Sequence, residues 1–271
     1  MKRKSGSLLK KIVFVLALLV FGSVFLFSGY QVVEYVYEES VQKSVKSDLI
    51  KKGVTSASSS PEEIRVPIKA DDEGKTVEKN ILLTPDITVD FDLLKKQYGK
   101  MIGWLYMQVS IIHEPVMQAE DNAYFVHRLP DGKENRAGSL FMDYRDPADL
   151  SQWGHILYGH NMKNGTMFGP LMNYRYEEYF KENPYMFYFT PEKTYRGEVF
   201  AAIHTTTDTL VFSMPDSDEE IEEYLRYVYA RSVFSSGISV TKDDTVLVLT
   251  TCSTGNTSPK RFVVFLKLVE I

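Results

Sequence analysis

The chain has 271 residues, 44% hydrophobic and 25% charged. That globular composition excludes a disordered, collagen-like or low-complexity protein, and a net charge of −5 gives no footing for nucleic-acid binding. The single cysteine, Cys252, excludes an internal disulfide and a metal site built on cysteine pairs.

Residues 1–11 carry Lys2, Arg3, Lys4, Lys10 and Lys11 and no acid, so the rest of the chain is more acidic than the total suggests. From Ile12 to Val33 no residue is charged. As a helix this stretch spans about 33 Å, close to the thickness of a bilayer's hydrocarbon core. The basic cluster predicts a cytoplasmic N-terminus, with the acidic bulk of the chain outside the cell and one membrane pass. A cleaved signal peptide is the competing reading. The length of the apolar run and the lack of an A-x-A-like site after it favour a retained anchor. Either way the remainder is exported, where a lone thiol is unusual.

Residues 34–89 read as an extracellular stalk and linker. Residues 30–52 can continue the anchor as a helix, 53–61 (GVTSASSSP) have a flexible composition, and 62–80 are charged without a clear period. Residues 90–271 read as one folded domain. Asp90–Gln97 predicts a short helix. Short β-rich runs follow at Val109–Gln118, Gly138–Met142, His155–Tyr158, Tyr185–Phe189, Gly197–His204, Thr245–Thr250 and Phe262–Val269, which suggests a mostly β barrel or sandwich. One late helix interrupts them. Ser217 and Glu220 have the spacing of a capping box, and Ile221, Leu225 and Val228 fall on one helical face.

Cys252 closes the apolar run beginning at Thr245, so it is expected at a strand end. The bland reading is a small buried hydrophobe; the alternative is a nucleophile. Of the five histidines, His113, His127, His155, His160 and His204, only His160 has a distinctive context. It follows a strand and a glycine that permits a sharp turn, and a histidine brought close by the fold can serve a cysteine nucleophile. Arg261 opens the last strand, nine residues after Cys252, where a guanidinium can donate to a developing oxyanion.

Tyr158-Gly159-His160-Asn161-Met162, Leu249-Thr250-Thr251-Cys252 and Arg261-Phe262-Val263-Val264 resemble, in order, the three signatures of sortases. Gly103-Trp104-Leu105, Pro115-Val116-Met117-Gln118, Asp121-Asn122-Ala123-Tyr124, the run Gly138–Arg145, Met167-Phe168-Gly169 and the late helix are similar to class B members. The resemblance implies an eight-stranded β-barrel with an N-terminal helix, in a membrane-anchored cysteine transpeptidase of Gram-positive bacteria that needs no cofactor or metal. It implies that Cys252 is the nucleophile, His160 the general acid/base and Arg261 the oxyanion donor. More loosely it implies groove residues Asn122, Thr207, Thr250 and Thr251. The implied partners are surface proteins bearing a sorting signal and an acceptor amine, from a cell-wall precursor or a pilin lysine. Ser253 and Thr254 stand where many class B members carry an acid. Two other readings are an L,D-transpeptidase-like acyltransferase, which normally has Gly directly before its cysteine, and a non-catalytic surface-protein-binding barrel.

Overall fold

The computed structural model describes residues 5–70, 76–108, 111–207, 209–252 and 259–271. It divides into two compact units, Met1–Ser44 and Val45–Ile271. Helix α1 (Ser5–Gly53) fills the described part of the first unit and runs into the second. Within the first unit Leu9, Phe14, Phe21, Phe25 and Phe27 are all strongly exposed. A helix apolar all round belongs in a core or a bilayer. This one is long and apolar enough to cross a membrane. The expected basic cluster at Lys2, Arg3 and Lys4 lies outside the described residues.

The second unit is built on a closed barrel. Its strands are β5 (Met101–Tyr106), β6 (His113–Met117), β7 (Leu140–Met142), β8 (Gly154–Tyr158), β9 (Tyr185–Phe189), β10 (Thr194–Thr206), β11 (Thr245–Cys252) and β12 (Lys260–Glu270). They close in the order β10-β12-β11-β8-β7-β6-β5-β9. The β8–β11 and β6–β7 pairs are parallel and the others antiparallel. Strand alternation sets the two faces of β11 and β12 against different parts of the core. Leu247, Leu249, Phe262, Val264 and Leu266 point into the barrel among Leu105, Val116, Leu140 and Leu157. Val246, Val248, Val263 and Phe265 point outward against Ile221, Tyr224, Leu225 and Val228. Those four belong to α4 (Asp218–Arg231), the late helix expected from the sequence, which follows the short α3 (Glu177–Glu182) in the chain. Both faces are therefore buried, which is why β11 and β12 read as continuous apolar runs. Ser217 caps α4 by accepting from the Glu220 N–H, and Glu220 reaches back to the N–H of Asp216.

Two regions differ from the expected stalk and linker. Val54–Ser56 forms strand β1, paired with β4 (Ile87–Val89). Residues 62–80 hold most of a hairpin of β2 (Glu63–Ala70) and β3 (Thr76–Leu82). Leu49 from the end of α1 is buried with Phe91 and Leu94 of α2 (Phe91–Gln97), so the segment from Val45 onward packs as part of the barrel unit.

Candidate active site

Three strand ends converge. In the parallel β8–β11 ladder Tyr158 is the register partner of Thr250. His160 lies two residues past Tyr158 and Cys252 two past Thr250, in the same direction along neighbouring strands. The main chain keeps that alignment beyond β8, because the Gly159 N–H donates to the Thr250 carbonyl at 3.2 Å. In the antiparallel β11–β12 ladder Cys252 pairs with Arg261, and in the β10–β12 ladder Arg261 pairs with Thr205. Thiol-, imidazole- and guanidinium-bearing positions are thus gathered at one end of the barrel.

A pocket of about 170 Å³ opens there, lined by His160, Thr250, Thr251, Arg261, Tyr158 and Ser139 among others. Gly159 also lines it, and a Cβ at that position would overlap Leu140 and Phe168. The close turn that presents His160 therefore requires glycine. His160 is half-buried. Its Nε2 lies 2.8 Å from the carbonyl oxygen of Val126, and its ring stacks on that of His127 with centroids 5.7 Å apart. Thr250 and Thr251 form part of the pocket wall, and their hydroxyls are buried without hydrogen-bond partners among the described residues. Among the described residues no group of three His, Cys, Asp or Glu side chains could hold a metal ion.

Behind the pocket lies a polar network the sequence reading did not single out. Asp143 has no exposed surface. Its carboxylate accepts from Nε and Nη2 of Arg145 at 2.8 and 2.9 Å, from Nδ2 of Asn122 at 2.9 Å and from the Tyr158 hydroxyl at 3.0 Å. Burial opposes ionisation, but these donors prevail and hold the carboxyl down at about 2. The available signal was the Gly138–Arg145 run, which places Asp143 and Arg145 two residues apart.

The expected site residues divide accordingly. His160, Thr250, Thr251 and Arg261 line one pocket, and Cys252 is their neighbour in register. Asn122 does not line it; its amide serves Asp143 and the Tyr144 N–H. Thr207 sits in the turn after β10, its N–H donating to the Pro259 carbonyl. Ser253 and Thr254 lie outside the described residues. His113 and His155 are buried, and His204 packs on Phe262.

Comparison with known proteins gives the family. The model of the sortase domain matches residues 112–269. The chain is 32% identical over 257 residues to a sortase B of Listeria monocytogenes, covering 94% of this chain and 95% of that one. It is 27% identical over 183 residues to sortase B of Staphylococcus aureus, covering 67% and 75%. Among solved structures, sortase B from Bacillus anthracis in complex with AAEK1 superimposes with a TM-score of 0.67 at 28% identity, over 88% of this chain and 99% of that one. A Staphylococcus aureus sortase B–substrate complex does so with a TM-score of 0.63 at 27% identity, over 67% and 85%. A family model spanning more than half the chain, and a relative alike along nearly all of it, agree with the barrel and its paired strand ends: the chain belongs to the sortases, as a class B cysteine transpeptidase.

Proposed function

We propose that Cys252 is the nucleophile, His160 the general acid/base and Arg261 the oxyanion donor of a transpeptidase that sorts surface proteins. The thiolate of Cys252 attacks the carbonyl carbon of the threonine in a sorting motif. Arg261 donates hydrogen bonds to the oxyanion that forms. His160 protonates the leaving amine, the C–N bond breaks, and a thioester remains on Cys252. An amine from a cell-wall precursor or a pilin lysine then attacks the thioester and gives its proton to His160, and the thiolate leaves. The observation that carries this reading is the meeting of three motif positions at adjacent strand ends: His160 and Cys252 at equal offsets along β8 and β11, and Arg261 paired with Cys252.

The peptide would lie against the pocket wall at Thr250 and Thr251; Asn122 and Thr207 would act at the edges of the groove. The related Staphylococcus aureus enzyme has been solved with a substrate, which supports a peptide ligand here. Residues 12–33 would anchor the enzyme, with residues 1–11 in the cytoplasm, 34–89 as an extracellular stalk and linker packed in part on the barrel, and 90–271 as the catalytic barrel outside the cell.

The test is to trap the acyl-enzyme. Incubation with a sorting-signal peptide and no acceptor should add the mass of the acyl fragment to Cys252. Hydroxylamine should release it, and Cys252→Ala should acquire none. Peptide turnover by Cys252→Ala would refute the assignment.

A further inference from the structure

We propose that the main-chain carbonyl of Val126 orients the imidazole of His160, and that Gly138 is the positioning residue that keeps this carbonyl in place. The inference rests on the reading of His160 as general acid/base and adds the group that fixes its tautomer.

A carbonyl oxygen can only accept, so the 2.8 Å contact requires the proton to be on Nε2. In the neutral ring Nδ1 is then the atom that takes and returns a proton. A base whose orientation is set by a third group is a recurring requirement of nucleophilic catalysis. The residues just after Cys252, Ser253 and Thr254, carry no carboxylate. The carbonyl supplies orientation without the negative charge with which a carboxylate stabilises an imidazolium.

The geometry around Val126 is built for this contact. Val126 lies in a 3-10 turn, Tyr124–His127. The carbonyl before it, of Phe125, accepts from the Ser139 N–H at 3.0 Å, and the one after it, of His127, accepts from the Asn135 N–H at 3.0 Å. The segment 135–139 thus ties down both neighbours while the middle carbonyl is directed at His160. Gly138 makes that approach possible. Its φ is +59°, and a Cβ there would overlap the Val126 oxygen and lie 2.6 Å from the Phe125 oxygen. Any other residue is strained by its backbone angle and presses directly on the acceptor of His160. The same turn adds a second constraint through the stacked His127 ring, tilted 20° from that of His160.

The experiment uses the full-length protein in detergent micelles with ¹⁵N-labelled histidine. Nitrogen shifts and two-bond couplings report the His160 tautomer, assigned by its loss in His160→Ala. At a pH where the ring is neutral, wild-type His160 should be protonated on Nε2. In Gly138→Ala that signature should weaken or become mixed. Its kcat for sorting-signal cleavage should fall at least tenfold with KM little changed, and the pH–rate profile should move. His127→Ala, which removes only the stack, should keep the Nε2–H tautomer. Protonation on Nδ1 in the wild type would overturn the proposal even if Gly138→Ala fails to fold. So would a folded Gly138→Ala variant with wild-type kcat and tautomer. Full activity in His160→Ala would instead overturn the acid/base reading beneath it; an inactive His160→Ala with an Nδ1-protonated wild type overturns the positioning role alone.

Discussion

Tyr158 and Thr250 are register partners in the parallel ladder that joins β8 to β11. From that pair the chain continues in the same direction on both strands, to His160 on one and Cys252 on the other. An antiparallel pairing would carry the two residues to opposite ends of the barrel. The parallel connection, with the crossover that contains α4, is therefore what brings two distant motifs to one rim.

The histidines can be separated by their burial. His155 has no exposed surface, and its Nε2 donates to the Gln152 carbonyl at 3.1 Å. Burial pushes its pKa down to about 4. A base with a depressed folded pKa contributes stability above its unfolded value, about 6.5, and loses it as pH falls toward about 4. The loss is of the order of 3 kcal/mol. His155→Gln keeps a nitrogen for Gln152 and should flatten the fall in stability between those pH values, leaving the slopes due to His113, which burial also holds at about 4, and to Asp146, which burial raises to about 6 and which acts in the opposite sense. It should retain peptide cleavage, whereas His160→Ala should lose ~10²–10⁴-fold in acylation rate. Urea unfolding at several pH values, with initial-rate assays, checks both. An unchanged acid slope, or a His155 variant as inactive as the His160 one, would contradict this account.

The sequence made much of this legible and concealed the rest for physical reasons. Tyr185–Phe189 was expected as a strand and is one; the Ser217 cap and the apolar face of α4 were readable because a helix buried on one side shows its period. Strand β5 was missed because Met101–Tyr106 is enclosed on nearly all sides and alternates with nothing. The β2–β3 hairpin was missed because charged side chains such as Glu63 and Arg65 stand exposed on it. Cys252, His160 and Arg261 could be picked out by residue type and motif. Asp143 could not, since a carboxylate becomes special only when the fold brings Arg145, Asn122 and Tyr158 to it. Val126 was beyond sequence reasoning, because it contributes a carbonyl that every residue has.

The boundary between the two compact units lies within α1. Residues 45–271 should be soluble, folded and active, because they include the turns of α1 that pack on α2. Residues 54–271 should be markedly less stable. That cut removes Leu49, only 1% exposed, and loss of a buried leucine costs about 2–5 kcal/mol. It also removes Lys46, the ion-pair partner of the buried Glu114, and the Gly53 carbonyl that accepts from the Asp90 N–H. Calorimetry and peptide cleavage on the two truncations measure the difference. Equal melting temperatures would show that the end of α1 contributes nothing to the barrel.

Asp143 should matter for stability more than its partner Arg145. Removing the carboxylate leaves the donors of Asn122 and Tyr158 unsatisfied beside the pocket, so Asp143→Ala should cost about 3 kcal/mol. Arg145 is 58% exposed at its side chain. Water can replace it, and Arg145→Ala should cost about 1 kcal/mol or less. Because hydrogen bonds hold Asp143 at about 2, its contribution is complete above the unfolded value, about 3.9, and is lost as pH falls through about 2. Denaturant unfolding of both variants at pH 7 and of the wild type down to pH 2 tests this. An Arg145→Ala variant as unstable as Asp143→Ala would show that the ion pair, not the buried acceptor, is what counts.

Arg261 offers the sharpest test of the catalytic reading because its neighbour is a control. Arg261 is half-buried and lines the pocket with His160 and Thr251, whereas Lys260 is exposed and lies outside that lining. Consecutive strand residues point to opposite faces, so the two cations are presented differently although one peptide bond separates them. If Arg261 stabilises an oxyanion, its planar fork of donors matters as well as its charge, and lysine supplies only a point-like ammonium on a flexible stem. Loss of one oxyanion donor costs ~10²–10³ in rate. Arg261→Ala should fall in that range and Arg261→Lys should be milder, with kcat suffering more than KM, because only interactions stronger in the transition state raise kcat. Lys260→Ala should stay within about twofold of wild type, since a substitution on a solvated face costs little. Steady-state cleavage of a sorting-signal peptide by the three variants measures all of this. Near-normal turnover by Arg261→Ala would refute the catalytic role of Arg261, and an equal loss in Lys260→Ala would mean that the start of β12 acts through its charge or its fold and not through a directed donor.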